Sequence, residues 1–194
     1  RTARAQAARP RLLQSFPRVV PKKNRLDLDV PTLIDALAQG VAADSRVAGC
    51  ARPVLVGIHT GGAWIAERIA ARLPALGIAE FDSGTLGITF YRDDFSRVGL
   101  NPHVSPSKLP ESLEGRVVVL IDDILYTGRT IRAAMNELFD YGRPDAIVLG
   151  ILVDRGGREL PIAADVTAAR IDLPDEEQIK LLGPDPLVLE RSRP

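Results

Sequence analysis

The chain has 194 residues, enough for one well-formed core and short for two. Hydrophobic residues make up 45% and charged residues 26%, the proportions of a globular protein, and no apolar run approaches the roughly 18–20 residues of a membrane-spanning helix. Twenty-five basic residues balance twenty-five acidic ones, which excludes a global field that would draw in nucleic acid or anionic lipid, and the single cysteine, Cys50, excludes an intrachain disulfide and fits a reducing compartment.

Charge is uneven along the chain. Arg1, Arg4, Arg9, Arg11, Arg18, Lys22, Lys23 and Arg25 precede the first acid, Asp27. Such a leader can be a transit peptide or a nucleic-acid arm, and the plainest reading is a poorly ordered extension. Residues 1–27 are therefore set apart from a single domain over 28–194. The first helix is expected over Pro31–Ala43, where Leu33, Ile34, Leu37 and Val41 recur at helical spacing behind an early proline. Val54 to Ile58 is a short continuous apolar run, the pattern of a strand buried on both faces. A turn at His59-Thr60-Gly61-Gly62 leads into a helix over Ala63–Leu73.

Alternation of Leu86, Ile88 and Phe90 predicts a strand over 85–91. From Arg92 to Glu114 the chain is polar, carries Pro102, Pro106 and Pro110, and has no clear period. A connection of that length suggests a mobile lid over a site. Val117–Ile121 is the next strand. It runs into two adjacent carboxylates, Asp122 and Asp123, then a turn with Tyr126, Thr127 and Gly128, and then a helix opened by Thr130. Ile131, Ala134, Met135, Leu138 and Phe139 form that helix's apolar stripe, and Gly142 with Pro144 stops it. Ala146–Val153 is a further buried strand. Short strands and turns over 165–173 and 178–190 follow, with Gly183-Pro184 and Asp185-Pro186 at a hairpin.

Strand–helix alternation implies an α/β fold with a mostly parallel sheet, right-handed crossovers, and ligands beyond the carboxyl ends of the strands. Three segments leave strands at that edge: Thr60 to Gly62, Asp122 to Thr130, and Asp154 to Arg158. An acidic pair after an apolar strand, taken alone, is equally well a helix-capping or metal-binding turn. With Thr127-Gly128-Arg129-Thr130 at fixed offset it makes a cradle for a ribose bearing a phosphate. Two carboxylates accept from a vicinal diol, and amides at a helix start favour an anion.

The segment Val118–Thr130, VVLIDDILYTGRT, resembles the phosphoribosyl-pyrophosphate signature of the type I phosphoribosyltransferases. Gly84 to Asp94 (GTLGITFYRDD) and Leu152 to Ile162 (LVDRGGRELPI) narrow the resemblance to the bifunctional pyrimidine-operon regulators and uracil phosphoribosyltransferases, over roughly residues 28–170. The fold this implies is an open, mostly parallel sheet flanked by helices, with a small C-terminal hood of short strands. The implied reaction joins uracil to phosphoribosyl pyrophosphate, giving UMP and pyrophosphate, in a cytoplasmic homodimer or homotetramer with no membrane.

The resemblance also implies roles. Asp122 and Asp123 would hold the ribose hydroxyls and help catalysis, with Arg92 contributing from the lid. Tyr126, Thr127, Gly128, Arg129 and Thr130 would hold the 5′-phosphate. Thr60, Gly61 and Gly62 would form the pyrophosphate loop, where relatives often carry an arginine in place of Gly61. Pyrophosphate would then rely on Mg²⁺, Arg92 or His59. Mg²⁺ is the implied cofactor, with Asp154 as a candidate protein ligand, and Val153, Asp154 and Arg155 would line the uracil pocket. Purine enzymes of the superfamily usually carry an aspartate at the offset of Tyr126. A phenol, with an ordinary pKa of about 10, does not replace it near neutrality, so a pyrimidine acceptor is expected.

The alternative is an RNA-binding attenuator that senses UMP or phosphoribosyl pyrophosphate and binds pyrimidine-operon leader RNA. Residues 31–45 hold no Lys, Arg or His, and Gly157 and Ala163 stand where regulators tend to carry a histidine and an arginine. RNA affinity depends on phosphate neutralisation, which weighs toward the enzyme. A third reading is transfer to another base.

Overall fold

The computed structural model describes residues 26, 28–88, 106–174 and 176–193. The basic leader, Arg92 and most of the expected lid lie outside the described residues.

Asp29 starts the first helix. Its carboxylate accepts the N–H of Thr32 at 3.0 Å, satisfying a donor that a helix start leaves unpaired, and Pro31 sits in the first turn, where no N–H is missed. This helix, α1 (Val30–Ala43), buries Val30, Ile34, Leu37, Ala38 and Val41, while Leu33 is only partly covered. A single turn, α2 (Ser45–Ala48), follows, and then β1 (Val54–Ile58), every residue of which is buried. The rest run α3 (Gly61–Ala70), a 3₁₀ turn at Leu73–Leu76, β2 (Asp82–Leu86), β3 (Val117–Leu125), α4 (Arg129–Asp140), β4 (Ala146–Asp154), β5 (Val166–Arg170), β6 (Gln178–Leu182) and β7 (Val188–Ser192).

Five strands form one parallel sheet in the order β2-β1-β3-β4-β5. Successive side chains of β3 go to opposite faces, which is why its sequence is continuously apolar. Val119 and Ile121 meet Leu37, Val41, Ile65 and Ile69 of α1 and α3. Val118 and Leu120 meet Ile131, Ala134 and Leu138 of α4. Each fully buried Ile or Leu contributes about 1.5–3 kcal/mol. Between Gly150 of β4 and Ile121 there is no room for a side chain: a Cβ at Gly150 would lie 2.7 Å from Ile121 Cδ1.

The expected hood is present as an antiparallel hairpin of β6 and β7, with Leu181 opposite Leu189. Its turn lies on α3. A Cβ at Gly183 would come within 2.7 Å of the Trp64 ring, and Arg68 donates to the Pro184 carbonyl at 2.6 Å and the Trp64 carbonyl at 2.9 Å.

Four expectations shift. The strand expected over 85–91 is β2, Asp82–Leu86. Its start is set by Asp82, paired with Val54 and held by Arg52 and Arg116, a charged anchor that apolar alternation does not register. The helix expected from Ala63 already begins at Gly61. β3 continues past Ile121 through the acidic pair, because its ladder with β4 runs on to Leu125 opposite Asp154. Phe139, expected inward, is 54% exposed, because the buried stripe of α4 ends at Leu138.

At Gly57 the start of α3 crosses β1 so closely that a Cβ would stand 2.6 Å from both Ala63 Cα and the Gly62 carbonyl oxygen. Gly57→Ala is expected to destabilise the fold by roughly 1–3 kcal/mol, as overpacking does. Urea unfolding followed by circular dichroism checks this, and an unchanged midpoint would contradict the close approach.

Candidate functional site

The carboxyl ends of β1, β3 and β4 bring the three expected segments to one edge of the sheet. Asp122 is 5% exposed, and its Oδ1 accepts the N–H of Asp123 at 3.0 Å. Across from this pair lies the start of α3. A Cβ at Gly61 would be 2.5 Å from Asp123 Cγ, and one at Gly62 would be 3.0 Å from Asp122 Cα. At Gly62 the neighbour is backbone, so glycine is a requirement of packing there, while at Gly61 the helix start rests on the Asp123 carboxylate. Thr60 gives α3 no side-chain cap, so this end keeps the partial positive charge of a helix start.

His59 donates its N–H to the Leu86 carbonyl at 2.9 Å. Burial, reinforced by the charge of Lys108, pushes its imidazole below the ordinary histidine range. At neutral pH the ring is uncharged, so it offers a hydrogen bond to an anion and no net charge.

The second segment turns at Gly128, whose φ of 90° is the left-handed conformation that a side chain would strain. Gly128 caps α4 without a side-chain hydrogen bond, and Arg129 opens the helix one residue before the expected Thr130, which lies in its first turn. Thr127 is buried, and its hydroxyl accepts the Arg129 N–H at 3.2 Å. The Arg129 side chain turns aside to Glu159, with Nε to carboxylate at 2.9 Å.

Arg158 ties the third segment to the second. Its guanidinium donates to the carbonyls of Tyr126 at 2.7 Å, Ile162 at 3.0 Å, and Leu125 and Gly156 at 3.3 Å, and it pairs with Asp154 at 2.7 Å. Backbone bonds reinforce it: Arg155 N–H reaches Leu125 O at 3.1 Å, and the N–H groups of Glu159 and Leu160 reach Thr127 O. Gly156 and Gly157, with φ of 72° and 68°, make the tight turn that lets the loop fold back.

Burial raises the carboxyl of Asp154, but the hydrogen bonds from Arg158 and the Gly156 N–H outweigh it and hold the group below the usual carboxylate range. With both oxygens engaged and a guanidinium beside it, Asp154 is poorly suited to a dication. Val153 lies wholly in the core, so only its backbone faces the edge. Arg155 packs its guanidinium over the Tyr126 ring, 3.7 Å from the centroid. Beside the loop opens a cavity of about 360 Å³ bounded by Asp154, Arg158, Ile162, Ala164, Arg170 and Asp172.

Sequence reasoning brought Thr60–Gly62, Asp122–Thr130 and Asp154–Arg158 to one edge and missed that Arg158 clamps the last two together. Arg158 reads in sequence as a site or surface cation, and the only hint of its role is the adjacent glycine pair that allows the fold-back.

A family model described as a phosphoribosyl transferase domain matches residues 29–185. The chain is 49% identical over 162 residues to the bifunctional protein PyrR of Nitrosococcus oceani, covering 84% of this chain and 90% of that protein. It is 52% identical over 159 residues to the bifunctional protein PyrR of Pseudomonas paraeruginosa, covering 82% and 91%. Among solved structures, a hypoxanthine phosphoribosyl transferase of Trypanosoma cruzi superposes with a TM-score of 0.60 at 21% identity, covering 81% of this chain and 83% of that one, a likeness of fold.

Replacing the clamp has a defined consequence. Asp154 titrates lower in the folded chain than in the unfolded one, so its pairing stabilises above the unfolded value of 3.8 and is lost as the pH falls through the folded value. Arg158→Gln is expected to cost roughly 2–4 kcal/mol at pH 7. The gap from wild type should narrow as the pH falls below 3.8 and through the lower folded value, where Asp154 becomes protonated in wild type as well. Denaturant midpoints measured at several pH values check both parts.

Proposed function

The chain belongs to the phosphoribosyl transferase family and, within it, to the relatives named bifunctional protein PyrR, and we propose that it transfers a phosphoribosyl group to uracil. The observation that carries this reading is the acidic pair at the end of β3, with the helix start at Gly61 packed against it and a second helix start, at Arg129, following the same strand after one turn. A donor with a pyrophosphate on C1′ and a phosphate on C5′ has the matching charge pattern: diol in the middle, anions at both ends.

In this reading the carboxylates of Asp122 and Asp123 accept hydrogen bonds from the ribose hydroxyls. The amides of the Tyr126–Thr130 turn hold the 5′-phosphate, and those of Thr60–Gly62 hold the pyrophosphate. As the bond to pyrophosphate stretches, positive charge grows on the sugar, and two fixed carboxylates in a half-enclosed site stabilise it without reorganising. The base approaches from the Val153–Arg155 side. Tyr126 offers a purine N7 no carboxylate, which supports a pyrimidine acceptor.

Among the described residues no group of three or more His, Cys, Asp or Glu could hold a metal. The hard oxygens of Asp122 and Asp123 fit a Mg²⁺ that arrives with the donor and keeps several waters. When bound, such an ion neutralises the leaving pyrophosphate. Gly61 leaves the pyrophosphate loop without a cation of its own, and Arg92 remains the proposed cation from the lid. We assign the enzyme to the cytoplasm, as a homodimer or homotetramer; no helix among the described residues is long and apolar enough to cross a membrane.

The second reading, an attenuator that binds leader RNA, draws support from the bifunctional name of the relatives. Against it, α1 carries no basic residue over Val30–Ala43, and Gly157 stands where a regulator's histidine would be. A side chain there would strain a φ of 68° and run into Tyr126.

Steady-state turnover with phosphoribosyl pyrophosphate should favour uracil over hypoxanthine, guanine and orotate. The double change Asp122→Asn with Asp123→Asn should lower kcat by at least about 10²–10³, the size of losing a preorganised electrostatic partner, with an unchanged melting temperature. Substantial residual activity would refute the assigned site. No turnover of any base, together with tight salt-sensitive binding to a pyrimidine-operon leader RNA, would move the assignment to the attenuator.

A further inference from the structure

Arg155 is the one buried cation among the described residues, at 7% exposure. Its Nε is enclosed without a hydrogen-bond partner, and among the described residues its guanidinium meets no carboxylate and no carbonyl. Three residues on, Arg158 satisfies four carbonyls and a carboxylate. A guanidinium carries its charge at any pH the protein meets, and a buried charge without a counter-charge is unfavourable. Such a group calls for a role, and completion by a bound reactant is one that fits a residue at the site edge.

The surroundings show what is missing. The Tyr126 ring covers one face of the guanidinium at 3.7 Å. Gly157 closes on the same ring, since a Cβ there would lie 2.9 Å from Tyr126 Cδ2, and the Arg155 N–H is tied to Leu125 O. The carboxylate of its own loop, Asp154, is already neutralised by Arg158. Asp122 and Asp123, on the neighbouring strand end, are assigned to the sugar. The group that comes to this corner of the edge in the transfer reaction is the acceptor base.

The geometry points to the Arg155 guanidinium as the counter-charge for an acceptor pyrimidine bound as its N1 anion, with Tyr126 as the platform that holds the guanidinium in position. This deepens the uracil reading and rests on it. A neutral base would satisfy a donor and leave the charge uncompensated, whereas an anion answers both. The N1 proton leaves to solvent as the base binds. The N1 electron pair then forms the bond to C1′ while the bond from C1′ to the pyrophosphate oxygen breaks, its electron pair departing with pyrophosphate. No side chain accepts a proton during transfer, which explains a tyrosine in the place where a carboxylate base would stand.

The test compares uracil with 5-fluorouracil, whose ring N–H is more acidic, in wild type, Arg155→Gln and Arg155→Lys. Arg155→Gln should raise KM for uracil roughly ten- to a hundredfold, with little change in KM for phosphoribosyl pyrophosphate. It should lose at least as much toward 5-fluorouracil, whose tighter binding to wild type comes from its easier ionisation, and Arg155→Lys should recover part of the uracil loss. The ligand-free melting temperature of Arg155→Gln should change little, since only the stacking on Tyr126 is removed and the unpaired buried charge goes with it. A smaller loss toward 5-fluorouracil than toward uracil, or an unchanged KM for uracil, would overturn the role of Arg155 alone. If neither variant folds, wild type decides: in weak buffer with Mg²⁺ and pyrophosphate, uracil binding should release about one proton per base, and no release overturns the proposal. A wild-type enzyme inert toward both pyrimidines would overturn the uracil reading and this inference with it.

Discussion

The guanidinium of Arg158 spans two loops that leave neighbouring parallel strands, donating to carbonyls of both while it pairs with Asp154. Loops at the carboxyl edge of a parallel sheet diverge, and their half-buried carbonyls need donors once water is displaced. Arginine alone carries enough fixed donors for so many acceptors. Everything functional at the edge inherits this bond set. It fixes the backbone at Leu125 and Tyr126, and therefore the turn at Gly128. It also fixes the fold-back at Gly156, which sets where Arg155 points.

A second constraint acts from the other side of the acidic pair. Glycines at 57, 61 and 62 bring α3 onto β1 and β3 at backbone-contact range. The start of α4 follows the same strand end after one turn. Two helix starts, each with partial positive charge, therefore flank two carboxylates. A dianionic or trianionic ligand alone would be repelled by the carboxylates, and a cation alone by the helix starts. A molecule with anions at its ends and hydroxyls between fits both.

Much of this was legible in the chain. Continuous apolar runs located β1, β3 and β4, since strands covered on both faces have no polar face to break the run. Helical spacing located α1 and α4 almost to the residue. The hairpin of β6 and β7 was marked by its two X-Pro pairs, Gly183-Pro184 and Asp185-Pro186. Other boundaries were hidden by chemistry that periodicity ignores. β2 is positioned by Asp82 with Arg52 and Arg116, and β3 continues through Asp122 and Asp123 because the ladder with β4 does. The three segments that meet at the edge were legible from motif and order. Their support was not, because Arg158 bonds to carbonyls, and carbonyls have no signature in sequence.

The hood hairpin rests on Trp64 and Arg68 of α3, the helix whose first turn opens at Gly61. The hairpin and the helix whose start meets the acidic pair are thus joined through Arg68 and Trp64. Thermodynamic linkage makes any coupling between them reciprocal: whatever orders the α3 start steadies the hairpin, and whatever settles the hairpin orders the α3 start by the same factor.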